Sequence, residues 1–423
     1  MNALTAKLRV DIEAQAPLLL GGARASGRAP ETLKFIPGRV LRGALADALL
    51  SMSDHAPRPC GSDCDFCTLF LLEDGKSIFR NAYPARPGGT SRPFPFTALQ
   101  CKIDESHPVT DLLCTSIVHW LKGSFRPAAC SNCNEKLEPA TGFCDWHKPG
   151  CDKADAPTLR ETVKVGIDRA RRCAADEILY SVLAVSDKAK DGKSQVNFSG
   201  SIICPSELAD ELAGLLAQRV TRLGGATSRG YGTIRVNAVR QADSAVPVAD
   251  RIRSFNKTLA DLLESTRSPR VVRLEELWLE LASIENLPAV LREGKRGFFS
   301  IDLISDAILP DVIADDDKLF ATQRQDFVLK SDILRLHSED KLRSRLAAAF
   351  ARAGTASGWN ATWGLPRQVD IVSLAGGVFV YWSDDLPACI GPLESLEQRG
   401  IGGRISEGFG QVEICSPVHM VRV

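Results

Sequence analysis

Several features are missing from this sequence of 423 residues. It contains no run of about 18 apolar residues, which a membrane-spanning helix would need. Its first residues, Met1 to Lys7, lack the apolar core of a signal peptide. Its formal net charge is zero, which argues against a wholly basic nucleic-acid binder and leaves room for a local basic face. We therefore expect a cytoplasmic protein that does not associate with a membrane.

The sequence motifs of several enzyme classes are also missing. There is no Gly-x-x-x-x-Gly-Lys-Ser/Thr phosphate loop, no His-Glu-x-x-His and no Gly-x-Ser-x-Gly nucleophile elbow. The six histidines are scattered, and none stands beside the glycine-rich stretches where a general base would be needed. These absences favour a binding protein, and we predict no catalytic residue.

What the sequence does contain is a repeated glycine-rich stretch. Residues 224–236 read Gly-Gly-Ala-Thr-Ser-Arg-Gly-Tyr-Gly-Thr-Ile-Arg-Val, and residues 402–414 read Gly-Gly-Arg-Ile-Ser-Glu-Gly-Phe-Gly-Gln-Val-Glu-Ile. Glycine reaches positive φ without steric cost, so each stretch predicts a shaped loop that leads into a strand. We call them the first and the second glycine loop. Two such loops in register indicate two copies of one folding unit.

The predicted elements around the first loop follow the order strand, helix, hairpin strands, helix, loop and strand. This is the β-α-β-β-α-β order of a ferredoxin-like unit. We therefore predict an α+β fold with two tandem ferredoxin-like units, residues 1–244 and 245–423, and a cysteine-rich insertion over residues 55–156. Alternation of apolar residues predicts a strand over residues 6–14 in the first unit and another over residues 298–303 in the second. Helical spacing predicts a helix over residues 332–352 of the second unit.

Nine of the thirteen cysteines lie between Cys60 and Cys151. Disulfides are rare in a reducing cytoplasm, so this clustering indicates metal. The spacing predicts a closed, structural zinc site formed by Cys130, Cys133, Cys144 and His147. A second set is predicted from Cys60, Cys64 and Cys67, completed by Cys151 or by His55; reduced surface thiols are the alternative for this set. One or two zinc ions are expected. The remaining cysteines are expected to be small core residues: Cys101, Cys114, Cys173, Cys204, Cys389 and Cys415.

Four features of the sequence resemble the RAMP superfamily of CRISPR-associated RNA-binding proteins. Residues 35–45 read Phe-Ile-Pro-Gly-Arg-Val-Leu-Arg-Gly-Ala-Leu and are similar to its entry to the first helix, with Arg39-Val40 replacing the usual small residues. Residues 64–84 contain Cys-x2-Cys-Thr-Leu-Phe and the strand Ile-Phe-Arg-Asn-Ala-Tyr-Pro, and residues 166–180 start with Gly-Ile-Asp-Arg and end with Ile-Leu-Tyr. The two glycine loops are the fourth feature. Two such units resemble the guide-tag-capping subunit of type III effectors, particularly type III-D.

The resemblance implies a non-catalytic, RNA-binding subunit of a ribonucleoprotein complex. Its implied partners are the 5′ repeat-derived tag of the CRISPR RNA, the large type III signalling subunit and the backbone RAMP subunits. Backbone subunits that cut target RNA usually place an aspartate in the loop after the first strand, where residues 21–38 contain only Glu31 as an acidic residue. The second unit has Asp302, Asp306 and Asp311 near the analogous place. A RAMP endoribonuclease or backbone subunit that cleaves precursor or target RNA is therefore the alternative.

Single-stranded RNA is held by contacts to phosphates and by stacking on unpaired bases. Tyr231 is expected either to stack on a base or to plug the loop, and the two arginines of the first helix are expected either to serve an anion or to be solvated. Because Glu407 stands where the first loop has Arg229, we expect the first loop to bind RNA more tightly and the second to face a protein partner. The predicted RNA-binding residues are Arg39, Arg42, Lys164, Arg169, Arg171, Arg172, Arg222, Gly224, Gly225, Ser228, Arg229, Gly230, Tyr231, Gly232 and Arg404.

Overall fold

The first sheet is built on a strand whose side chains alternate between core and surface. This strand, β1 (Thr5–Ala14), buries every second side chain from Ala6 to Ala14, as its sequence predicts. It has an antiparallel neighbour on each side, so that Val10 is opposite Gly200 in one strand and Ala238 in the other. β1 is therefore an inner strand of the sheet, and one face of this sheet packs on the core.

The computed structural model describes residues 5–21, 32–51, 64–70, 77–86, 88–123, 129–145, 152–168, 170–241, 246–266, 276–309, 344–360 and 365–420. After β1 the strands are β2 (Ile78–Phe79), β3 (Tyr83–Pro84), β4 (Ser91–Pro93), β5 (Ala98–Cys101), β6 (Thr110–Asp111), β7 (Leu137–Pro139), β8 (Phe143–Asp145), β9 (Asp152–Ala154), β10 (Leu159–Asp168), β11 (Cys173–Val185), β12 (Asn197–Pro205), β13 (Ile234–Arg240), β14 (Gly297–Leu303), β15 (Ser344–Phe350), β16 (Ala353–Ala356), β17 (Trp359–Asn360), β18 (Leu365–Pro366), β19 (Asp370–Ser373), β20 (Val378–Ser383) and β21 (Val412–Ile414). The helices are α1 (Gly38–Leu50), α2 (Asp65–Phe70), α3 (Leu113–Leu121), α4 (Ala209–Arg219), α5 (Val248–Ser265), α6 (Glu276–Ala282), α7 (Leu287–Glu293) and α8 (Leu386–Arg399).

Two antiparallel sheets have the same order of strands. The first runs β13-β1-β12-β2, with β3 also paired to β12, and the second runs β15-β20-β14-β21. In each sheet the strand that is first in the sequence (β1 or β14) is a central strand. Its neighbours are the strand that is last in the sequence (β13 or β21) and the one before it (β12 or β20). This mixed α/β architecture with small antiparallel sheets is consistent with the predicted ferredoxin-like fold.

The second sheet confirms one predicted element and corrects another. The strand expected over residues 298–303 is present as β14, which is buried along its whole length. The helix expected over residues 332–352 is wrong in its described part, because residues 344–350 form strand β15 on the edge of the sheet. Its sequence, Ser-Arg-Leu-Ala-Ala-Ala-Phe, favours a helix locally, and pairing with β20 overrides that preference.

The predicted insertion contributes to the core of the second sheet. Helix α3 buries Leu113, Ile117 and Leu121 in the same apolar cluster as Phe255 of α5. Close by, the rings of Trp120 and Trp278 are 5.0 Å apart. The insertion therefore packs against the core of the second sheet, although it is inserted in the sequence of the first unit. The predicted boundary at residues 244 and 245 lies outside the described residues.

A buried charged triad joins three distant parts of the chain. His419, near the C-terminus, lies between two carboxylates, with Nδ1 2.9 Å from Asp111 Oδ2 and Nε2 2.6 Å from Asp302 Oδ1. The His419 side chain is fully buried, and burial alone would lower its pKa. The two carboxylates outweigh that effect and raise the pKa of His419 well above its ordinary value. The imidazolium thereby links the insertion and the second sheet to the C-terminal residues.

No helix in the described part of the chain has the length and apolar character needed to cross a membrane.

Candidate nucleic-acid interface and metal site

The two glycine loops follow the same backbone course. Ala226 and Arg404 occupy matching positions, and each has a left-handed backbone with a φ of 55°. Each is followed by a single turn of 3-10 helix, over residues 227–229 and 405–407. The repeated sequence thus encodes one repeated conformation.

Close backbone contact explains why the loops begin with glycine. Gly224 and Gly402 have φ values of 83° and 79°, which strain any other L residue. A Cβ atom at Gly224 would overlap the carbonyl oxygen of Leu19, and one at Gly402 would overlap that of Ile308. Each loop therefore lies directly on the segment that follows the first strand of its own sheet.

The aromatic residue of each loop is a packing residue. Tyr231 is only 7% exposed, and the ammonium of Lys164 lies 4.9 Å from the centre of its ring. Phe409 is 5% exposed and lies beneath the guanidinium of Arg404 at 4.8 Å. Of the two roles expected for Tyr231, its burial leaves the plug and removes the stacking platform.

The first loop is open to solvent at its tip. A Cβ atom at Gly230 would meet no atom within 4 Å. Arg222, Ser228 and Arg229 are all exposed, and within the described residues neither arginine forms an ion pair. Two amides that were expected to reach phosphates are used inside the protein, since Gly225 donates to Leu19 O and Gly232 donates to Pro17 O, at 2.8 and 2.9 Å. The loop therefore offers the charge of its arginines and the Ser228 hydroxyl to a ligand, and the Gly225 and Gly232 amides are not available.

The second loop is closed against the start of α1. A Cβ atom at Gly408 would lie 2.7 Å from Asn81 Oδ1 and 3.2 Å from Gly38 Cα. The Gly38 amide in turn donates to Asn81 Oδ1 at 2.9 Å. At Gly408 the second loop therefore packs against its own chain, and its contact with a partner protein stays a prediction.

Charges on the second loop are paired within the chain. Arg404 donates to Asp370 at 2.8 Å and to Glu407 at 2.7 Å, and Arg367 is 2.7 Å from Glu407. Burial alone would raise the pKa of Glu407, but the hydrogen bonds from Arg404 and Arg367 lower it. Arg404, which was predicted to bind RNA, is thus engaged in an internal network.

Arg39 and Arg42 lie beside this second loop. The Arg39 guanidinium is 5.9 Å from the centre of the Phe409 ring, and Arg42 lies 4.8 Å from that of Phe70 and donates to Phe70 O at 3.2 Å. Both side chains are half-buried, and burial lowers the pKa of each. The N-terminal end of α1 contacts residues 405–407, so the first turn of this helix packs against the chain itself, and an anion at Arg39 and Arg42 stays a prediction.

The hairpin β10–β11 extends from the side of the first loop. Lys164 contacts Tyr231 near the root, and Leu18 pairs with Val185 at the base. The tip lies about 13 Å further along β10, at the usual rise per residue. Arg171 and Arg172 are exposed there; the third predicted tip residue, Arg169, lies outside the described residues.

In the described residues, Asp302 and Asp306 belong to no group of three or more potential metal ligands. Asp302 is buried against His419, and Asp306 Oδ1 accepts the Ala375 amide at 2.9 Å. Desolvation raises the pKa of Asp306. Asp311 lies outside the described residues. In the described part of the chain, the one group with three or more potential metal ligands is made of cysteine and histidine.

That group consists of Cys101, His107, Cys130 and Cys133, whose ligand atoms all lie within 4.8 Å of one another. The Sγ atoms of Cys101 and Cys133 are 3.5 Å apart, and His107 Nδ1 is 3.4 Å from Cys130 Sγ and 3.7 Å from Cys133 Sγ. Tetrahedral Zn²⁺ with bonds of about 2.3 Å to sulfur and 2.0 Å to nitrogen has ligand atoms about 3.5–3.8 Å apart. The four residues therefore fit a closed structural zinc site.

Backbone amides prepare two of the thiols as ligands. The Asp104 amide donates to Cys101 and the Asn132 amide donates to Cys130, and these hydrogen bonds lower the pKa of both thiols. The Asp104 carboxylate lies 3.5 Å from His107 Nε2, which leaves Nδ1 directed at the sulfurs. The site thus has the supporting contacts that a metal centre needs.

The ligand set differs from the predicted one. Cys130 and Cys133 belong to it, whereas Cys144 is buried in a separate apolar cluster on β8. Cys101, expected in the core, is a member, and the spacing Cys-x5-His over residues 101–107 is the signal that was missed. Cys173, also expected in the core, is exposed. In the second set, Cys64 immediately precedes α2 and Cys67 lies within it. The other members of that set, His55, Cys60 and Cys151, lie outside the described residues, as does His147 of the first set.

A matched pair of glycines tests the difference between the loops. Gly230 and Gly408 have φ values of 89° and 95°, so alanine at either position carries a left-handed cost of about 1–2 kcal/mol. Only Gly408→Ala also meets packed atoms, which adds about 1–3 kcal/mol of overpacking. We expect urea unfolding to show a clearly larger loss for Gly408→Ala. Equal losses would contradict the closed packing of the second loop.

Comparisons with known proteins found distant structural similarities. No protein-family model matches the chain, and neither does any curated protein. A chain of a type III-B Cmr-beta complex bound to cognate target RNA and AMPPnP is 12% identical with a TM-score of 0.42, covering 88% of this chain and 86% of that one. A chain of a second Cmr-beta structure, bound to cognate target RNA, is 12% identical with a TM-score of 0.40 and the same coverage of both chains. A chain of a type IV-B CRISPR complex is 11% identical with a TM-score of 0.27, and the match covers 57% of this chain and 92% of that one. None of these values assigns the chain to a family.

Proposed function

We propose that this chain is a non-catalytic, RNA-binding subunit of a type III CRISPR ribonucleoprotein effector, built from two ferredoxin-like RAMP units. The observation that carries the proposal is the pair of glycine loops. They share one backbone course, yet the first loop exposes Arg229, with Arg222 exposed just before it, and the second is closed against α1. One loop is thereby left free for a ligand, and the other holds the two units together.

The free loop has the chemistry of a phosphate contact. Arg222 and Arg229 supply positive charge, and the Ser228 hydroxyl can donate to a phosphate oxygen or a 2′-hydroxyl. Lys164 and the basic hairpin tip continue the positive charge away from the loop. Such a line of charge follows a single-stranded backbone without reading its sequence.

The finer assignment rests on the resemblance of the motifs. It makes the ligand the 5′ repeat-derived tag of the CRISPR RNA, and makes this chain the type III-D capping subunit between the large signalling subunit and the backbone subunits. The outer face of β10 agrees with a protein contact there, because Val163 and Ile167 are 64% and 68% exposed. Large apolar side chains in a row on a surface are typical of interaction sites.

The positions of the aspartates support a non-catalytic role. Asp302 is 3% exposed and engaged with His419, so it is not accessible to a phosphodiester. Asp306 shares no ligand cluster with another acidic residue among those described. In this proposal the metal, zinc at Cys101, His107, Cys130 and Cys133, is structural, since four protein ligands leave no coordination position for substrate.

Loss of Arg229 tests the assignment of the loop. For Arg229→Ala we expect weaker binding of a single-stranded RNA and a salt dependence, log K against log salt concentration, that is less steep by about 0.7. Arg253→Ala removes an exposed, surface-paired arginine of α5 and serves as the control, with the slope unchanged. An unchanged slope for Arg229→Ala would refute the phosphate contact.

The biological ligand is identified by copurification of the chain from a host that carries a CRISPR array. Bound RNAs with a common 5′ repeat-derived end would support the capping role. Freshly cut RNA that depends on Asp306 would instead support the endoribonuclease. If no RNA remains bound after the chain is separated from its partner proteins, the result would instead support a zinc-stabilised scaffold without RNA contacts of its own.

A further inference from the structure

A cavity of about 540 Å³ opens where the start of the first unit, the insertion and the second unit meet. Its lining includes Lys34 and Phe35 before α1, Phe143 of β8, and Asp306 after β14. A volume of this size lies within the range of about 300–1,000 Å³ found for small-molecule sites. The cavity is separate from the first glycine loop and from the metal ligands, none of which lines it.

Aromatic side chains form one wall. The ring of Phe35 is 5.3 Å from that of Tyr83, which is 5.7 Å from that of Phe143. Phe35 is half-buried, so part of its ring remains available to a ligand, whereas the other two are buried behind it. The Tyr83 hydroxyl is engaged, since it donates to Ile304 O at 2.6 Å. The three rings are tilted by 39° and 44° against one another, so the flat apolar surface available to a ligand is the Phe35 ring.

Three charged residues line the cavity: Asp306, Lys34 and Lys153, of which Lys153 is paired with Glu105 at 2.9 Å. Asp306 Oδ1 accepts the Ala375 amide at 2.9 Å, and its Oδ2 has no partner among the described residues. Lys34 is exposed and forms no ion pair with any described residue. A ligand that combines a flat ring, N–H donors and an anionic group would satisfy the Phe35 ring, Asp306 and Lys34 together.

We propose that this cavity binds a nucleotide whose base carries an exocyclic amino group, with the base against Phe35, its amino group donating to Asp306, and its phosphate at Lys34. A carboxylate accepts from the amino group of cytosine or adenine and repels the carbonyl oxygen that replaces it in uracil or hypoxanthine. The nucleotide is either free in solution or an unstacked residue of RNA. In the second case the inference rests on the proposed function.

Matched mononucleotides test the contact with Asp306. Titrations of the purified full chain with CMP, UMP, AMP and IMP are expected to show CMP and AMP binding about fivefold or more tightly than UMP and IMP. Asp306→Asn keeps an oxygen for the Ala375 amide and replaces the free oxygen by a donor, so the preference should reverse. Phe35→Leu should weaken the binding of all four nucleotides by roughly tenfold through lost stacking. Lys257→Gln on α5 is the control, because Lys257 does not line the cavity, and it should change none of the four affinities. Melting temperatures of the variants verify that each is folded.

A second arm separates the two sources of nucleotide. A short single-stranded RNA with a photoreactive cytidine analogue is cross-linked to the chain, and the attached peptides are mapped. Cross-links at residues 34–35 or 141–143 that depend on Asp306, with weak mononucleotide binding, identify an RNA residue as the ligand; strong amino-selective mononucleotide binding identifies a free nucleotide. Equal affinities for amino and carbonyl bases, or no binding together with no cross-link in the cavity, would overturn the inference. The RNA-binding proposal would stand in that case if the Arg229-dependent salt slope were retained.

Discussion

Cys101→Ser is expected to lower the zinc content of the purified chain by one ion, whereas Cys144→Ala leaves it unchanged. Cys101 Sγ lies 3.5 Å from Cys133 Sγ within the four-ligand cluster, and Cys144 packs in an apolar cluster on β8. Loss of a direct ligand should weaken zinc binding by more than the 10–100-fold typical of residues that only orient a ligand, that is by over about 100-fold. Metal analysis of the two variants measures the difference directly.

The same substitution is expected to destabilise the fold. Structural zinc sites contribute about 10–16 kcal/mol of apparent binding free energy to folding in small domains. Here the ligands connect the end of β5 and the loop after it with the turn at Cys130 and Cys133, and the same insertion supplies α3 to the core of the second sheet. A chelator should therefore lower the melting temperature of the wild-type chain strongly and that of Cys101→Ser only slightly.

Cys173→Ser is the matched control, because Cys173 is exposed at the start of β11 and belongs to no ligand cluster among the described residues. It should retain zinc and stability. Zinc that is kept in Cys101→Ser and lost in Cys144→Ala would contradict the structural assignment and favour the set predicted from sequence spacing.

His419→Leu is expected to lower the free energy of unfolding by about 3–5 kcal/mol, the usual cost of breaking a buried ion pair by removing one partner. The side chains of Asp111 and Asp302 are 1% and 3% exposed, so both carboxylates would be left buried without their cation. Urea unfolding at neutral pH measures the loss. Adding Asp111→Asn to His419→Leu removes one of the two uncompensated charges and should recover part of the lost free energy of unfolding. A double variant no more stable than the single one would argue against the charged triad.

The triad also predicts a pH dependence. The pKa of His419 is raised well above its ordinary value by the two carboxylates. A group whose folded pKa exceeds its unfolded pKa contributes stability that is complete below the unfolded value, about 6.5 for histidine, and is lost as the pH rises through the folded value. Between those limits we expect the wild-type chain to lose up to about 1.4 kcal/mol per pH unit relative to His419→Leu. Parallel stability curves from pH 6 to pH 9 for the two proteins would contradict a protonated His419.

The glycine loops show how far local sequence reaches. A left-handed backbone and close approach to a carbonyl oxygen are requirements of single positions, so Gly224 and Gly402 are readable from sequence alone. The alternation of β1 and the apolar character of β14 are likewise local, and both strands are where the sequence predicts them. Residues 344–350 show the limit, since their local preference for a helix gives way to pairing with β20.

The metal site divides in the same way. Cys130 and Cys133 belong to one short turn, and the sequence pairs them correctly because two residues of separation suffice. Their partners depend on the sheet, since pairing of β5 with β7 places Cys101 opposite Leu137 and so beside that turn. Spacing alone favoured Cys144, which is closer in the chain and points into a different core.

The sequence by itself determined the repeated loop conformation, the alternation of β1 and the Cys-x2-Cys turn at Cys130 and Cys133, because each depends on residues a few positions apart. Only the tertiary structure decided which loop is free, which cysteines meet and which aspartates are buried. Glu407 and Arg229 occupy equivalent positions of one repeat, but Glu407 lies against α1 with two arginines and Arg229 faces solvent. That difference arises from the packing of elements distant in the chain, and a local pattern carries no information about it.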